Sequence, residues 1–458
     1  RLWISSLTDE AITEGMANLL PCDRFDNLFL AADSRNRADW LLGVNSSYAI
    51  CKAVGFGNNS LGRVQTPVLA EICRRYRERE NHMPADSWPV FISLCKNDRI
   101  LKMRHVDDLV ARREALALYE DCKAAKNARI TAVRKRTEEI GAPALYNLAE
   151  LQKDANRYHG LTAIQVQEIA QSLYEKRLIS YPRTSSRLLP GDVYDTLPPV
   201  MEKMLSRKEF RQYAGMVDLA APQDSIGAQD TMEHHAIIIT GIQPGKLGRE
   251  EMQVYTLIVG RVLETFMPPC KVEYTTVDAV CAARKFRIRT YRILEKGWLG
   301  IFEREHIVAK GCMPCPMLPE FFQEEILPVA GCSLIHKKSL PVSPYTDEEL
   351  VDYMDKAGLG TVSTRTNILR TLLERKYIRY SGKYVVPTPK GLFLYETVRG
   401  MKVADASLTS GWETELARIE RGELSQEEFL DGVLETVNEV TGEIFRNHPV
   451  EKRPQGTI

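Results

Sequence analysis

The sequence predicts a multidomain α+β protein, and three observations predict it. Apolar residues recur at helical spacing towards both ends of the chain. Between those ends lie two groups of segments rich in β-branched residues, and a mostly helical block, about 146 to 262, separates the groups. One β-rich unit into which a helical domain is inserted is the simplest arrangement with that order. At 458 residues the chain is long enough for several cores.

The elements follow in order. "SLTDEAITEGMANL" opens with Thr8 or Ser6 as a cap and acids in the first turn. "DSRNRADWLLGVNSSYAICKAV" carries helical apolar spacing beside the basic face of Arg35 and Arg37, and "VQTPVLAEICRRYRERE" is a third helix that tolerates Pro67 near its start. "WPVFISLC", "RILKMRHV" and "ARITAVRKR" read as strands, as do "KVEYTTVDAVCAA" and "KFRIRTYRIL" beyond the helical block. From about 345 the chain is helical again up to "FLDGVLETVNEVTGEIF", and the tail after it has no apolar periodicity.

A weak internal repeat is more informative than any one element. "IAQSLYEKRLISY" (169–181) aligns without a gap with "ILRTLLERKYIRY" (368–380), so that Leu173 matches Leu372, Glu175 matches Glu374, Ile179 matches Ile378 and Tyr181 matches Tyr380. Each copy follows a further helix candidate, "TAIQVQ" or "TVSTRTN". The second copy runs on as "YIRYSGKYVVP", where Ser-Gly between β-rich runs signals a two-residue hairpin. Helix, helix, hairpin is the winged-helix order, although a plain helical hairpin gives the same pattern.

Composition bounds the function. Lys plus Arg number 61, as do Asp plus Glu, so the formal net charge is zero. That balance argues against indiscriminate coating of nucleic acid but leaves room for a basic groove. No stretch approaches the roughly 18 apolar residues of a membrane span, and no charged-then-apolar leader opens the chain. It begins at Arg1 in what reads as running structure, so a processing boundary is expected there. Of ten cysteines only Cys312 and Cys315 form a close pair; Cys332 offers a third sulfur without a fourth, so reduced thiols of a cytosolic protein are expected rather than zinc.

The segment "RLISYPRTSSR" (177–187) raises the question of chemistry. Tyr181 reads either as a buried strand aromatic or as a nucleophile. A free phenol has a pKa near 10, so roughly one part in a thousand is phenolate at neutral pH. Attack on a phosphodiester therefore needs a cation against the developing charge, and arginine forks onto two phosphate oxygens. Arg183 stands two residues from Tyr181, on the same side of an extended segment; Tyr380 is followed by a tight turn instead. "MEHHAIIIT" offers His234 and His235 for the same phosphate, provided the two segments meet in space.

These segments resemble the type IA DNA topoisomerases, and more closely their topoisomerase III branch. "LISYPRTSSR" is similar to the family's Y-x-R-T-D-S segment, "SLGRVQTPVLAEICRR" (60–75) to S-x-G-R-V-Q-[ST], "EHHAIIIT" to H-[HE]-A-I-x-P-T, and "GLGTVSTRTNILRTLLERKYI" to G-[IL]-G-T-P-[AS]-T-R. "RADWLLGVNSSYA" and "LTSGWETELARIERGE" match as well, in the family's order. The resemblance implies that Tyr181 becomes joined to the 5′ phosphate of one cut strand, that Arg183 stabilises the transition state and that His234 assists at the phosphate. It implies contacts to single-stranded DNA from Ser60, Arg63, Gln65, Thr184 and Thr364, and places Asp39 near the cleaved strand. It further implies a monomeric toroidal core in the bacterial cytoplasm, without membrane contact. Residues 1–82 and 340–445 form its helical base (winged-helix-like at 360–395), 83–145 and 256–339 its β-rich arch, 146–255 the gate carrying the tyrosine, and 446–458 a tail.

Three departures qualify the match. Ser185 stands where the family has aspartate, and Ile239 where it has proline. The family's N-terminal Toprim domain holds Mg²⁺ on a D-x-D-x-x-E type set; "DDL" at 107–109 and "DVYD" at 192–195 have neither its spacing nor its strand context. The isolated chain is therefore expected to bind DNA with little or no cleavage, its metal site belonging to a missing Toprim partner. Two rival readings are a non-catalytic single-strand-binding adaptor that keeps the toroid, and a plain winged-helix regulator. The latter accounts for the second repeat but not for the β-rich arch.

Overall fold

The computed structural model describes residues 2, 4, 7–55, 58–208, 210–217, 234–302, 304–315, 317–362 and 364–448. The tail beyond 448, Met232–Glu233 and Ser363 lie outside them. Helix α1 (Asp9–Ala17) starts on Thr8, whose hydroxyl accepts from Ala11 N at 3.3 Å. Helix α2 (Asp26–Val54) buries small residues, among them Ala31, Ser34, Ala38, Ser46 and Ala49, which let neighbouring helices approach closely, and it stops at Gly55 in the left-handed region. Helix α3 (Gln65–Glu80) holds Pro67 in its first turn, where the missing N–H is harmless.

The chain then passes β1 (Asp86–Ser87), which belongs to a separate two-stranded sheet, and enters a barrel through β2 (Val90–Lys96), β3 (Arg99–His105), helix α4 (Arg112–Ala124) and β4 (Asn127–Ile140). The inserted block follows: α5 (Leu148–His159), α6 (Ala163–Glu175), α7 (Gly191–Asp195), α8 (Leu197–Leu205) and α9 (Arg249–Thr265). The barrel resumes with β5 (Cys270–Cys281), β6 (Arg284–Glu295), the short α10 (Leu299–Phe302) and α11 (Glu305–Ala309), β7 (Met313–Pro314), β8 (Ile326–Leu334) and β9 (Lys337–Lys338). Last come β10 (Tyr345–Thr346), α12 (Asp347–Lys356), α13 (Arg365–Glu374), β11 (Ile378–Ser381), β12 (Tyr384–Pro387), α14 (Pro389–Val398), α15 (Ala406–Glu420) and α16 (Gln426–Asn447).

The large sheet runs β3-β2-β8-β4-β5-β6-β7, and β3 also pairs with β6 through Arg104↔Arg287 and His105↔Phe286. Six strands thus close on themselves, which removes the open edges of a flat sheet. Val90, Ile92, Leu94, Met103, Ile130, Val277 and Phe286 fill one core of that unit. Strand β8 sits between β2 and β4 but is absent from the strands read from the sequence, because Pro328 and Gly331 interrupt its pattern. Pro328 lies at the end of the pairing with β4, opposite Asn127, and Gly331 lies beside a bulge opposite Ser93.

Two further cores are helical. One joins α2 and α3 to the C-terminal helices, so that the two ends of the chain share a single interior around Leu42, Ile50, Leu69, Trp412 and Phe429. The other gathers Leu151, Val166, Leu173, Ile179, Ile237 and the α9 residues Val254, Ile258 and Val262. The residue 255/256 boundary expected between gate and arch falls inside α9, which runs unbroken and packs with α5 and α6.

The repeat is larger in space than in sequence. After α6, Arg177 adopts φ +62° and Leu178 N donates to Leu173 O at 3.0 Å; after α13, Lys376 adopts φ +59° and Tyr377 N donates to Leu372 O at 2.9 Å. Both helices therefore end in the same left-handed cap and launch the next strand at the same angle. Ile179 then pairs with Ile239 as Ile378 pairs with Pro387, and Tyr146 pairs with Ile237 as Tyr345 pairs with Val385. Thr240 Oγ1 donates to Arg177 O at 2.6 Å, as Thr388 Oγ1 does to Lys376 O at 2.5 Å. Ile239, the departure from the expected proline, thus occupies the place that Pro387 holds in the second copy.

Two local expectations are corrected. "TAIQVQ" and "TVSTRTN" are not separate helices; they run into α6 and α13, and the helices that precede these are α5 and α12. A capping box of Thr162 and Gln165 starts α6 without any later break. The hairpin turn is Gly382-Lys383 rather than Ser381-Gly382, since Ser381 still pairs with Tyr384. Gly382 has φ +60°, which glycine adopts freely at the first turn position.

Candidate active site

In the first repeat copy the short wing is replaced by the long excursion 182–235, so Tyr181 sits at its root instead of inside a hairpin. The half-buried phenol packs on Tyr174 edge-on (5.4 Å between ring centroids) and on His234 (4.5 Å, planes 47° apart). The two sequence segments that carry Tyr181 and His234 therefore meet. What joins them is a pair of strand-like bonds: Ser180 N donates to Ile238 O at 2.9 Å, and Thr240 N to Leu178 O at 3.2 Å.

The residues after Tyr181 are held from both sides. Thr184 is 4% exposed; its hydroxyl donates to His234 O at 2.9 Å and accepts from Ser186 N at 3.0 Å. Its carbonyl accepts from Leu148 N at 3.2 Å, and Ser185 O accepts from Asn147 Nδ2 at 3.0 Å, so the N-terminal end of α5 grips this loop. Arg187, which the sequence reading did not single out, donates Nε to Leu145 O and an Nη to Ala144 O, both at 3.1 Å. Arg183 is half-buried, and its buried Nε has no hydrogen-bond partner among the described residues. His235 is buried, with Nδ1 2.7 Å from Ala236 O, and takes a structural place beside His234. The strand opposite is pinned in turn: Tyr146 OH donates to Asp154 at 2.5 Å, and Arg261 and Arg304 converge on the same carboxylate at 2.8 and 3.2 Å.

A second locus gathers the other residues expected from the sequence. Arg63 is buried between two carboxylates, with Nε 2.7 Å from Asp39 and an Nη 2.8 Å from Glu413; Arg35 holds the other oxygen of Glu413 at 2.7 Å. Burial alone would lower the Arg63 pKa, but Asp39 and Glu413 raise it, so the guanidinium stays charged. Its charge is matched by these two carboxylates, and Asp39 is held against it. Ser60 N donates to the Tyr377 hydroxyl at 2.8 Å, and Arg375 reaches both the Ser60 hydroxyl and Gln65 Oε1, the latter at 2.8 Å. Thr364 begins α13, accepting from Thr361 N at 2.8 Å, beside Gly360, which lies against Val64. Exposed Arg375 was legible in the sequence only as the repeat's counterpart of Lys176.

The two loci belong to two packed halves. Across the junction Ala163 N donates to Asp347 at 2.8 Å, Gln152 Nε2 donates to Thr366 Oγ1 at 3.2 Å, and Lys153 pairs with Asp352 at 2.8 Å. Among the described residues no three His, Cys, Asp or Glu side chains are grouped to hold a metal ion. Nor is any described helix long and apolar enough to cross a membrane.

Comparison with known proteins gives a consistent picture. A family model described as DNA topoisomerase matches residues 23–431. The chain is 29% identical over 475 residues to DNA topoisomerase 3 of Bacillus licheniformis, covering 97% of this chain and 64% of that protein. It is 29% identical over 440 residues to DNA topoisomerase 1 of Methanocaldococcus jannaschii, covering 94% and 56%. The fold matches full-length topoisomerase I from Thermotoga maritima with a TM-score of 0.78 at 20% identity, over 98% of this chain and 73% of that one. The chain thus spans somewhat under two thirds of the length of these curated relatives.

Proposed function

The chain belongs to the type IA DNA topoisomerase family, and from that premise we propose that it is the strand-cutting core of such an enzyme. Tyr181 Oη attacks a phosphodiester of single-stranded DNA; the new O–P bond forms as the P–O3′ bond breaks, and the phenolic proton ends on the 3′ hydroxyl. The 5′-phosphotyrosine keeps the bond energy of the diester, so the strand is rejoined by reversal without ATP. Arg183 supplies the fork of charge on the phosphate oxygens, and His234 donates to the same phosphate. Ser60, Gln65, Thr184 and Thr364 guide the single strand, and Asp39, held by Arg63, lies near the cut strand.

The observation that carries this reading is the meeting of Tyr181 and His234 at 4.5 Å, with Arg183 two residues along and its Nε unengaged among the described residues. Mg²⁺ belongs in this proposal to a Toprim domain that acts with the chain, and no step here is routed through it. The test is to mix the chain with end-labelled single-stranded DNA and Mg²⁺, with and without a separately made Toprim domain, and to denature in SDS. A covalent adduct in the supplemented sample, lost in Tyr181→Phe while DNA binding remains, is the expected result. Binding without an adduct in either sample would favour the non-catalytic adaptor, a reading that the absence of grouped acids among the described residues also suits.

A further inference from the structure

We infer that Ser180 is a positioning residue for Tyr181: where Pro182 has no N–H to continue the strand pairing, its buried hydroxyl ties the segment 236–238 to the strand before Tyr181 and so sets His234 against the phenol. The inference rests on the reading of Tyr181 as nucleophile.

The two repeat copies supply an internal comparison. In the second copy the ladder runs without interruption, Ile378↔Pro387, Arg379↔Val386, Tyr380↔Val385 and Ser381↔Tyr384. Tyr380 is thereby drawn into the hairpin, and its hydroxyl donates to Asp347 at 2.9 Å. In the first copy the pairing begins identically with Ile179↔Ile239, and Ser180 N donates to Ile238 O at 2.9 Å. There the copies part. Ile238 N donates to the Ser180 hydroxyl at 3.0 Å, and that hydroxyl donates onward to Ala236 O at 3.1 Å. The matching residue in the second copy is the exposed Arg379, which has no short hydroxyl to offer.

The ladder cannot go on as in the second copy, because the next bond to Ala236 O would come from residue 182, a proline without an N–H; the Ser180 side chain, 2% exposed, serves Ala236 O and Ile238 N instead. Two consequences follow from geometry. Ile237 is left to pair with Tyr146 alone, so the main chain of Tyr181 is not drawn down onto it. The segment 236–238 is fixed to residue 180, which delivers His234, two residues upstream, to the Tyr181 ring. Without the hydroxyl, Ile238 N–H and Ala236 C=O would lie in a dry strand without partners. Pro182 has no N–H to replace the lost donor, so the segment 236–238 would be released from residue 180, and His234 with it.

The experiment compares wild type, Ser180→Ala and Ser180→Thr in two readouts. In the first, each chain is combined with the separate Toprim domain, Mg²⁺ and end-labelled single-stranded DNA, and the rate of phosphotyrosine formation is followed against pH. In the second, ring-to-ring nuclear Overhauser contacts between Tyr181 and His234 are recorded on selectively labelled protein without DNA. Ser180→Ala is expected to slow adduct formation on the order of 10- to 100-fold, as about an ångström of misplacement does. It should also lose the ring contact while keeping single-strand binding, and Ser180→Thr, which retains the hydroxyl, should restore both. A Ser180→Ala protein with the wild-type rate and an intact ring contact overturns the inference. A wild-type chain that forms no adduct overturns the nucleophile reading instead, and the ring-contact readout still decides the role of Ser180.

Discussion

Tyr181 and Tyr380 hold the same place in two copies of one motif, yet their surroundings give them opposite fates. Tyr380 is half-buried; loss of solvent around its hydroxyl pushes its pKa up, and neighbouring Asp347 pushes it further, the hydroxyl serving as a donor to that carboxylate. Tyr181 stands on Tyr174 and His234 at the mouth of a loop. Arg63 carries a comparable lesson. The resemblance assigns it to DNA, while its guanidinium spans Asp39 and Glu413. Burial alone would raise the Glu413 carboxyl, but Arg35 and Arg63 outweigh that and hold it below the ordinary value of 4.5. Its folded pKa is thus depressed, so its contribution is complete above the unfolded pKa and is lost as pH falls through the folded one. Glu413→Gln should cost about 2 kcal/mol at neutral pH, and the difference from wild type should vanish in acid. Denaturant unfolding of both proteins across acid to neutral pH measures this, and a difference that does not vary with pH would contradict it.

At the scale of elements, close approach decides what the pattern cannot. Helix α14 begins so near the end of α13 that a Cβ on Gly391 would lie 2.0 Å from Tyr377 O. That contact fixes Tyr377, whose hydroxyl accepts from Ser60 N. Gly391→Ala must therefore push the two elements apart, at a cost of about 1–3 kcal/mol, and should weaken single-strand binding by moving Ser60. Thermal melting and a binding titration check the two halves of that statement separately. Unchanged binding in a destabilised protein would detach Tyr377 from the DNA locus. Helix α4 and strand β8 teach a related point: β8 completes the barrel, α4 packs Ala115, Leu118 and Cys122 into its core, and neither is among the elements read from the sequence. Pro328 and Gly331 look like loop residues because their tolerance depends on a strand end and a bulge supplied by β4 and β2.

For the whole molecule, the junction between the two helical halves is the part that would have to open if the proposed function includes strand passage. It is polar and buried: Asp347 is 2% exposed, accepting from Ala163 N at 2.8 Å and from Tyr380 OH. Both repeat copies face each other there, α5 and α6 against α12 and α13. Removing the Asp347 carboxylate leaves the first N–H of α6 without its partner and should favour opening. Asp347→Ala is expected to speed hydrogen exchange at the start of α6 on the order of tenfold or more, with the barrel strands unaffected. Exchange followed by mass spectrometry tests this, and unchanged protection at residues 163–166 would show that the other cross-junction pairs suffice.

The sequence by itself determined the α+β class, most helices and most strands, the repeat and the tyrosine segment with its arginine. These are local properties: apolar period, caps and turn residues leave their mark within a few positions of where they act. Only the tertiary structure decided that His234 reaches Tyr181, that the charge of Arg63 is spent on two carboxylates, that six strands close into a barrel and that α9 packs with α5 and α6. Each of those depends on pairing between residues far apart in the chain, such as Ser180 with Ile238 or His105 with Phe286. Such pairing is selected by the packing of the whole and has no period along the sequence to betray it.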